Sequence, residues 1–358
     1  MNYQNLKFSK WEAICSARML ATLICIAAAG ASHGQTPAVA PAPAFPQLPP
    51  PPYVTPDTPQ GTGPHPAIME ADPGLVTHTV YRPKDLAALG KEKLPIVVFG
   101  NGGCRNIGNR FRYFLTEIAS HGFLAIAIGP IGAALAEFDT SYNQQQPAPG
   151  SPAAALLAQG KSLAAAPGSR VTPAFTTPVQ LIEAIDWAQA ENKRPDSIYF
   201  GKLDADQIAV MGQSCGGLQA IEAAHDNRVK TLGVWNSGAF TNEATSFATS
   251  AARVPKSSLK TLHAPTIYVT GEPSDVAFAN AEDDVARIDG IPLFHAWREK
   301  TGHIGTYREP NGGAFGRVAV AWLQWQLKGD KSAAKMFTGA DCGLCKQPEW
   351  HVKKKNIE

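Results

Sequence analysis

The stretch that most constrains this chain is Ile208 to Gly217, which reads Ile-Ala-Val-Met-Gly-Gln-Ser-Cys-Gly-Gly. An apolar β-type run, Ile208 to Met211, leads into Gly212-Gln213-Ser214-Cys215-Gly216, and a helical pattern from Leu218 to Ala224 leads out. This is the G-x-S-x-G pattern in the strand–turn–helix context that a nucleophile elbow requires. A serine on so tight a turn needs glycine two positions to either side, because side chains there would strike the neighbouring strand and the new helix. The geometry exposes a hydroxyl above a sheet, over the free N–H groups and positive dipole end of a helix. The bland alternative is a glycine-rich turn in some other α/β protein; the apolar strand before it and the second glycine after it favour the nucleophile.

The surrounding chain predicts an α/β fold: a mostly parallel, doubly wound sheet flanked by helices. Ile96 to Gly100 and Phe123 to Ile128 are continuous apolar runs of the kind buried in parallel sheets. Between them Asn109 to Ser120 reads as a helix closed by Gly122. Leu75 to Tyr81 reads as an early edge strand. Thr177-Pro178-Val179-Gln180 has the form of a capped helix start, with Val179, Ile182 and Ile185 on the buried stripe of a helix ending near Asn192. Strands follow at Thr231 to Trp235, Thr266 to Thr270 and Leu293 to Trp297. Val318, Trp322 and Trp325 mark the buried side of a closing helix. Ile131 to Val171, rich in Ala, Gly, Pro and Gln, interrupts this rhythm after a strand's C-terminal end and is expected to be a lid-like insertion or a bystander loop.

The first residues carry a different signal. Lys7, Lys10 and Arg18 precede the apolar run Met19 to Ala29 and the small residues Gly30, Ala31 and Ser32. That order is expected of a secretory signal peptide over residues 1–34, and the run of about a dozen residues falls short of the roughly 20 that span a bilayer. Residues 35–66 hold 12 of the chain's 29 prolines and read as an extended linker. A catalytic domain is expected over 67–350, with 351–358 as a solvated basic tail. A secreted or periplasmic location follows. A formal net charge of +2 is no footprint for nucleic acid. Without Cys15 and Cys25, the mature chain keeps Cys104, Cys215, Cys342 and Cys345. An even number in an oxidising compartment suggests disulfides, with Cys342–Cys345 a local pair and Cys104–Cys215 the other. No second Cys or His pair at metal spacing accompanies Cys342-x-x-Cys345, so no metal is expected.

A serine hydroxyl needs a base to remove its proton and a carboxylate to orient that base. With the elbow on one strand, the acid and the histidine are expected after later strands, in the order Ser, acid, His. The strand ending at Thr270 runs into Gly271-Glu272-Pro273-Ser274-Asp275, and Thr301-Gly302-His303 follows the strand ending at Trp297. Asp275 is the leading acid; Glu272 shares its loop, and Asp283 and Asp284 read as exposed helix residues. Of nine histidines, only His303 occupies a loop after a strand and ahead of the final helix. The oxyanion needs preorganised N–H donors. Cys215, directly after the serine, offers one, and Asn101-Gly102-Gly103-Cys104 offers the other through Gly102 or Gly103. Asn101, Gln213 and Trp235 are candidates for lining the substrate pocket, Trp235 equally a core residue.

Phe99-Gly-Asn-Gly-Gly103, Gly212-Gln-Ser-Cys-Gly216, Asp275 and His303 together resemble the secreted α/β-hydrolases over Lys93 to Glu349. The nearest groups are the dienelactone-hydrolase-like and platelet-activating-factor-acetylhydrolase-like esterases and the cutinase-type polyester hydrolases. Two positions depart from those relatives, which often carry His where this chain has Asn101 and Met or Phe where it has Cys215. The resemblance implies an α/β-hydrolase fold and a cofactor-independent serine esterase acting on a small-molecule or polymeric ester. A serine peptidase of the same fold and a non-catalytic surface-binding protein are the alternatives.

Overall fold

The computed structural model describes residues 60–132, 176–241 and 253–358. The expected signal peptide, all but the end of the expected linker, and nearly all of the expected lid segment lie outside the described residues. Among the described residues the strands are β1 (Ala67–Glu70), β2 (His78–Pro83), β3 (Leu94–Gly100), β4 (Leu124–Ile128), β5 (Leu203–Gln213), β6 (Val229–Trp235), β7 (Thr266–Gly271), β8 (Leu293–Arg298) and β9 (Trp350–Lys355). The helices are α1 (Arg112–Ser120), α2 (Pro178–Glu191), α3 (Cys215–Ala223), α4 (Phe278–Arg287), α5 (Gly313–Lys328) and the short α6 (Lys331–Ala334).

All nine strands join one sheet in the order β1-β2-β4-β3-β5-β6-β7-β8-β9. The six central strands, β4 to β8 in that order, run parallel, while β1, β2 and β9 pair antiparallel at the two margins. Two apolar cores form because strand side chains alternate between faces. Ile96, Val98, Ile208 and Val210 pack beside Leu181, Ile185, Ile221 and Val285 of α2, α3 and α4. Val97, Phe99, Ala209 and Met211 pack beside Phe114, Ile118, Val318 and Trp322 of α1 and α5. Among the described residues both faces of the sheet are therefore covered, and in open α/β sheets ligands bind at the ends where the parallel strands stop.

Helix α2 starts as expected, the Thr177 N–H donating to Gln180 Oε1 at 2.9 Å. Trp322 is core, its indole N–H donating to Thr231 Oγ1 at 2.8 Å. Other expectations need correction. The early edge strand is displaced: β2 begins at His78 and lies second in the sheet, and β1, unrecognised in the sequence, takes the edge. Val179 is 61% exposed and Ile182 partly buried, whereas Ile185 is buried as expected and shares the stripe with Leu181, Ala184 and Ala188. Packing also begins before residue 67. Thr62 donates from its backbone N–H (2.7 Å) and hydroxyl to the Glu117 carboxylate, and His65 N–H donates to Ser120 O at 3.0 Å.

The basic tail is exposed or partly exposed along its length, as expected, but it also joins the sheet. Trp350–Lys355 forms β9, registered so that Lys353 faces His295 and Lys355 faces Leu293. Lys353 pairs with Glu282, and Lys355 donates to Ile288 O at 2.9 Å and Asp289 Oδ1 at 3.0 Å. Lysines on an outermost strand also discourage further strand pairing, so the charge that marks a tail in the sequence suits a sheet edge. Cys342 and Cys345 are joined in the turn before β9, as expected.

Candidate active site

The strand β5 carries the organising stretch. Its last residue is Gln213, and α3 begins at Cys215, leaving Ser214 alone on the turn at φ 54° and ψ −121°. A non-glycine residue there is strained by roughly 1–3 kcal/mol and persists only where its surroundings enforce it. The Ser214 N–H donates to Trp235 O at 3.0 Å, and Ser237 Oγ donates to Ser214 O at 2.6 Å. Glycine at 216 is a matter of space: a Cβ there would lie 2.1 Å from the Gly100 carbonyl. A Cβ at Gly212 would lie 2.1 Å from the Gly216 carbonyl oxygen, so the collisions anticipated beside the elbow are with the backbones of both β3 and α3.

Two later loops converge on the hydroxyl. His303, between β8 and α5, places Nε2 2.9 Å from Ser214 Oγ. Its Nδ1 lies 2.8 Å from Asp275 Oδ1, in the loop between β7 and α4. Asp275 is buried and receives three more bonds: Ala277 N–H to Oδ1 at 3.0 Å, and Gly271 N–H at 3.0 Å and Asn236 Nδ2 at 2.7 Å to Oδ2. Burial pushes its carboxyl up, but the bonds and charge of His303, the Ala277 N–H and the Asn236 amide outweigh burial and hold it below the ordinary carboxylate value. Four donors on two oxygens define an ionised acceptor. Glu272 turns away: its carboxylate accepts from the Lys300 N–H at 2.9 Å. Asp284, expected to be exposed, is buried and receives Lys256 at 2.5 Å and the Tyr268 hydroxyl at 3.1 Å. Burial pushes its carboxyl up to about 6 despite these partners. It braces α4 against β7, outside the Ser–His–Asp line.

Cys215 is the first residue of α3, so its N–H has no partner within the helix. The facing turn, Gly102–Cys104, is a single 3₁₀ turn in which Gly103 sits at φ 65°, a conformation that suits glycine. The N–H groups of Gly102 and Gly103 make no backbone hydrogen bond among the described residues. Cys104 and Cys215 are bonded, with Cα atoms 5.2 Å apart across 111 residues of chain. The disulfide ties the glycine turn directly to the start of α3. Converting both cysteines to serine is expected to cost about 2–5 kcal/mol of stability, because a long loop is released in the unfolded chain. Chemical denaturation at fixed pH measures this; an unchanged midpoint in the double variant would show that the cross-link does not hold the turn.

Of the three proposed pocket residues, the structure moves two into the interior. Asn101 is fully buried, its amide donating to Ile128 O at 2.5 Å and Arg105 O at 3.1 Å, so it secures the glycine turn from behind. Trp235 is fully buried against Phe114 and Phe315, and only its carbonyl serves the elbow. Asn101 directly follows β3 and Trp235 ends β6, and both side chains are enclosed by the packed interior. Gln213 does reach a cleft, lined also by Arg110, Phe111, Ile304, Tyr307 and Arg308, and donates from Nε2 to His303 O at 3.0 Å. Asn236 and Tyr307 were missed in the sequence; the signal that could have found Asn236 is a polar residue directly after an apolar strand. No cluster of three His, Cys, Asp or Glu side chains at metal-binding distance occurs among the described residues, and no described helix is long and apolar enough to cross a membrane. The chain matches no protein-family model, and no curated protein matches it.

Proposed function

We propose that the protein is a secreted or periplasmic serine hydrolase of the α/β-hydrolase fold that cleaves carboxylic esters through an acyl-enzyme. The observation that carries this reading is the unbroken line Ser214 Oγ, His303 Nε2, His303 Nδ1, Asp275 Oδ1, with links of 2.9 and 2.8 Å, ending on a strained serine. Strain at a residue already in contact with a base is the arrangement expected of a nucleophile.

In the proposed reaction, His303 Nε2 takes the Ser214 proton as Oγ bonds to the ester carbonyl carbon. The carbonyl electron pair moves to oxygen, which accepts from the Cys215 N–H and from Gly102 or Gly103. Collapse breaks the bond to the alcohol oxygen, and the imidazolium returns its proton to that oxygen. Water, deprotonated by the same nitrogen, then attacks the acyl-enzyme and releases acid and free Ser214. Asp275 keeps the proton-bearing Nδ1 turned inward, which leaves Nε2 to act as base.

The test is release of p-nitrophenol from acetate, butyrate and octanoate esters, beside an amide substrate of matched acyl group. Ester turnover that falls with acyl length sizes the cleft and supports the reading. Preferential cleavage of the amide would favour a peptidase, and no turnover by folded protein would favour a binding role.

A further inference from the structure

We propose that Asn236 is a fourth member of this site, a positioning residue that holds the acid and the histidine loop in register, with Tyr307 as its anchor. The inference rests on the hydrolase reading and adds to it the group that keeps Asp275 aligned.

Asn236 follows β6 directly and is fully buried. Its backbone is left-handed, at φ 41°, a conformation that asparagine tolerates better than most residues. The Nδ2 donates twice, to Asp275 Oδ2 at 2.7 Å and to Gly302 O at 3.2 Å, one residue before His303. The Oδ1 accepts the Tyr307 hydroxyl at 2.6 Å. This orientation of the amide is dictated by its surroundings: turned over, its oxygen would face a carboxylate and a carbonyl. Tyr307 is buried, and burial together with the nearby Asp275 charge raises its phenol well above the ordinary value, so it remains a donor. The residues on either side complete the pattern, since Trp235 O receives the Ser214 N–H and Ser237 Oγ holds the Ser214 carbonyl. Three consecutive residues thus touch the loops of the serine, the acid and the base.

Asp275 Oδ2 makes no bond to His303. It is the oxygen that, left with fewer donors, would allow the carboxylate to rotate away from Nδ1. Asn236 and the Gly271 N–H prevent that, and only Asn236 also reaches the histidine loop. Its loss is expected to act on the reactivity of Ser214 and not on ground-state binding.

Asn236→Ala and Tyr307→Phe would be compared with wild type and Ser214→Ala. The readouts are the rate of covalent labelling by a fluorophosphonate, kcat and KM on p-nitrophenyl acetate, and the thermal midpoint. In Asn236→Ala, kcat and the labelling rate are expected to fall together by about 10- to 100-fold, with KM within about twofold, the loss typical of removing an outer hydrogen-bond partner. Tyr307→Phe keeps the ring that lines the cleft and is expected to show the same pattern, several-fold weaker. A lowered midpoint with labelling and kcat unchanged well below that midpoint would reduce Asn236 to a structural role and overturn the proposal. If Asn236→Ala does not fold, Tyr307→Phe decides by the same criteria. Failure of the hydrolase reading is separable: wild type itself would then neither label nor turn over ester, and the positioning role would fall with it.

Discussion

Ser214→Ala is expected to lower kcat on any ester the protein turns over by roughly 10⁶-fold while leaving the fold intact. In the proposed mechanism the hydroxyl supplies the whole nucleophilic step. With it gone, the base has no proton to take, and only the oxyanion donors and substrate binding remain to accelerate attack by water. The stability outcome is informative too. Alanine keeps a Cβ at φ 54°, so the backbone strain stays and the thermal midpoint changes little. Ser214→Gly removes the same hydroxyl and relaxes that conformation, and is expected to stabilise the protein by about 1 kcal/mol. Equal loss of activity in the two variants, with a higher midpoint only in glycine, identifies a serine held in a costly conformation for its chemistry. A glycine variant no more stable than alanine would show that the strain is absent in solution.

Asp275→Asn is the second large effect, with kcat expected to fall by about 10⁴-fold. The two carboxylate oxygens receive four donors: His303 Nδ1–H and Ala277 N–H on one, Asn236 Nδ2 and Gly271 N–H on the other. An amide supplies one acceptor oxygen, so its NH₂ group must face two donors whichever way it turns. If that group faces His303, the ring can bond only by presenting a bare Nδ1, and the proton then resides on Nε2. A histidine in that tautomer cannot accept from Ser214. The pH dependence of stability carries a second signature. The Asp275 carboxyl lies below its unfolded value near 3.8. Its contribution is therefore fully present above that pH and is lost as pH falls through the lower, folded value. Wild type is expected to lose more stability than Asp275→Asn on acidification below about pH 4. Parallel denaturation curves for the two proteins across that window would contradict the assignment of Asp275 as the buried, ionised acid.

The parts of this site that the sequence shows are those written into local patterns. A glycine cannot be replaced where two backbones touch, so Gly212 and Gly216 announce the elbow. Asp275 and His303 follow apolar strands closely enough that strand order alone puts them beside Ser214. The pairing of Cys104 with Cys215 follows from the same logic, since each borders one of the two loops that must meet. What stays hidden depends on contacts between distant segments. Asn236 and Tyr307 lie 71 residues apart and meet only because the β8–α5 loop folds back over β6. Lys353 to Lys355 give no sign of a strand in the sequence because a strand on a sheet margin needs no apolar alternation. Asn101 and Trp235 are chemically suited to a pocket, and nothing local says that both turn inward. Asp284 resembles a surface helix residue until Lys256 and Tyr268, from other elements, close over it.

The most direct test of the central claim is the site and stoichiometry of fluorophosphonate labelling, read by intact mass and peptide mapping. The account predicts one label per chain, on Ser214, with labelling abolished in Ser214→Ala and strongly slowed in His303→Ala. No label on the folded protein, or a label on any other residue that survives Ser214→Ala, would contradict it.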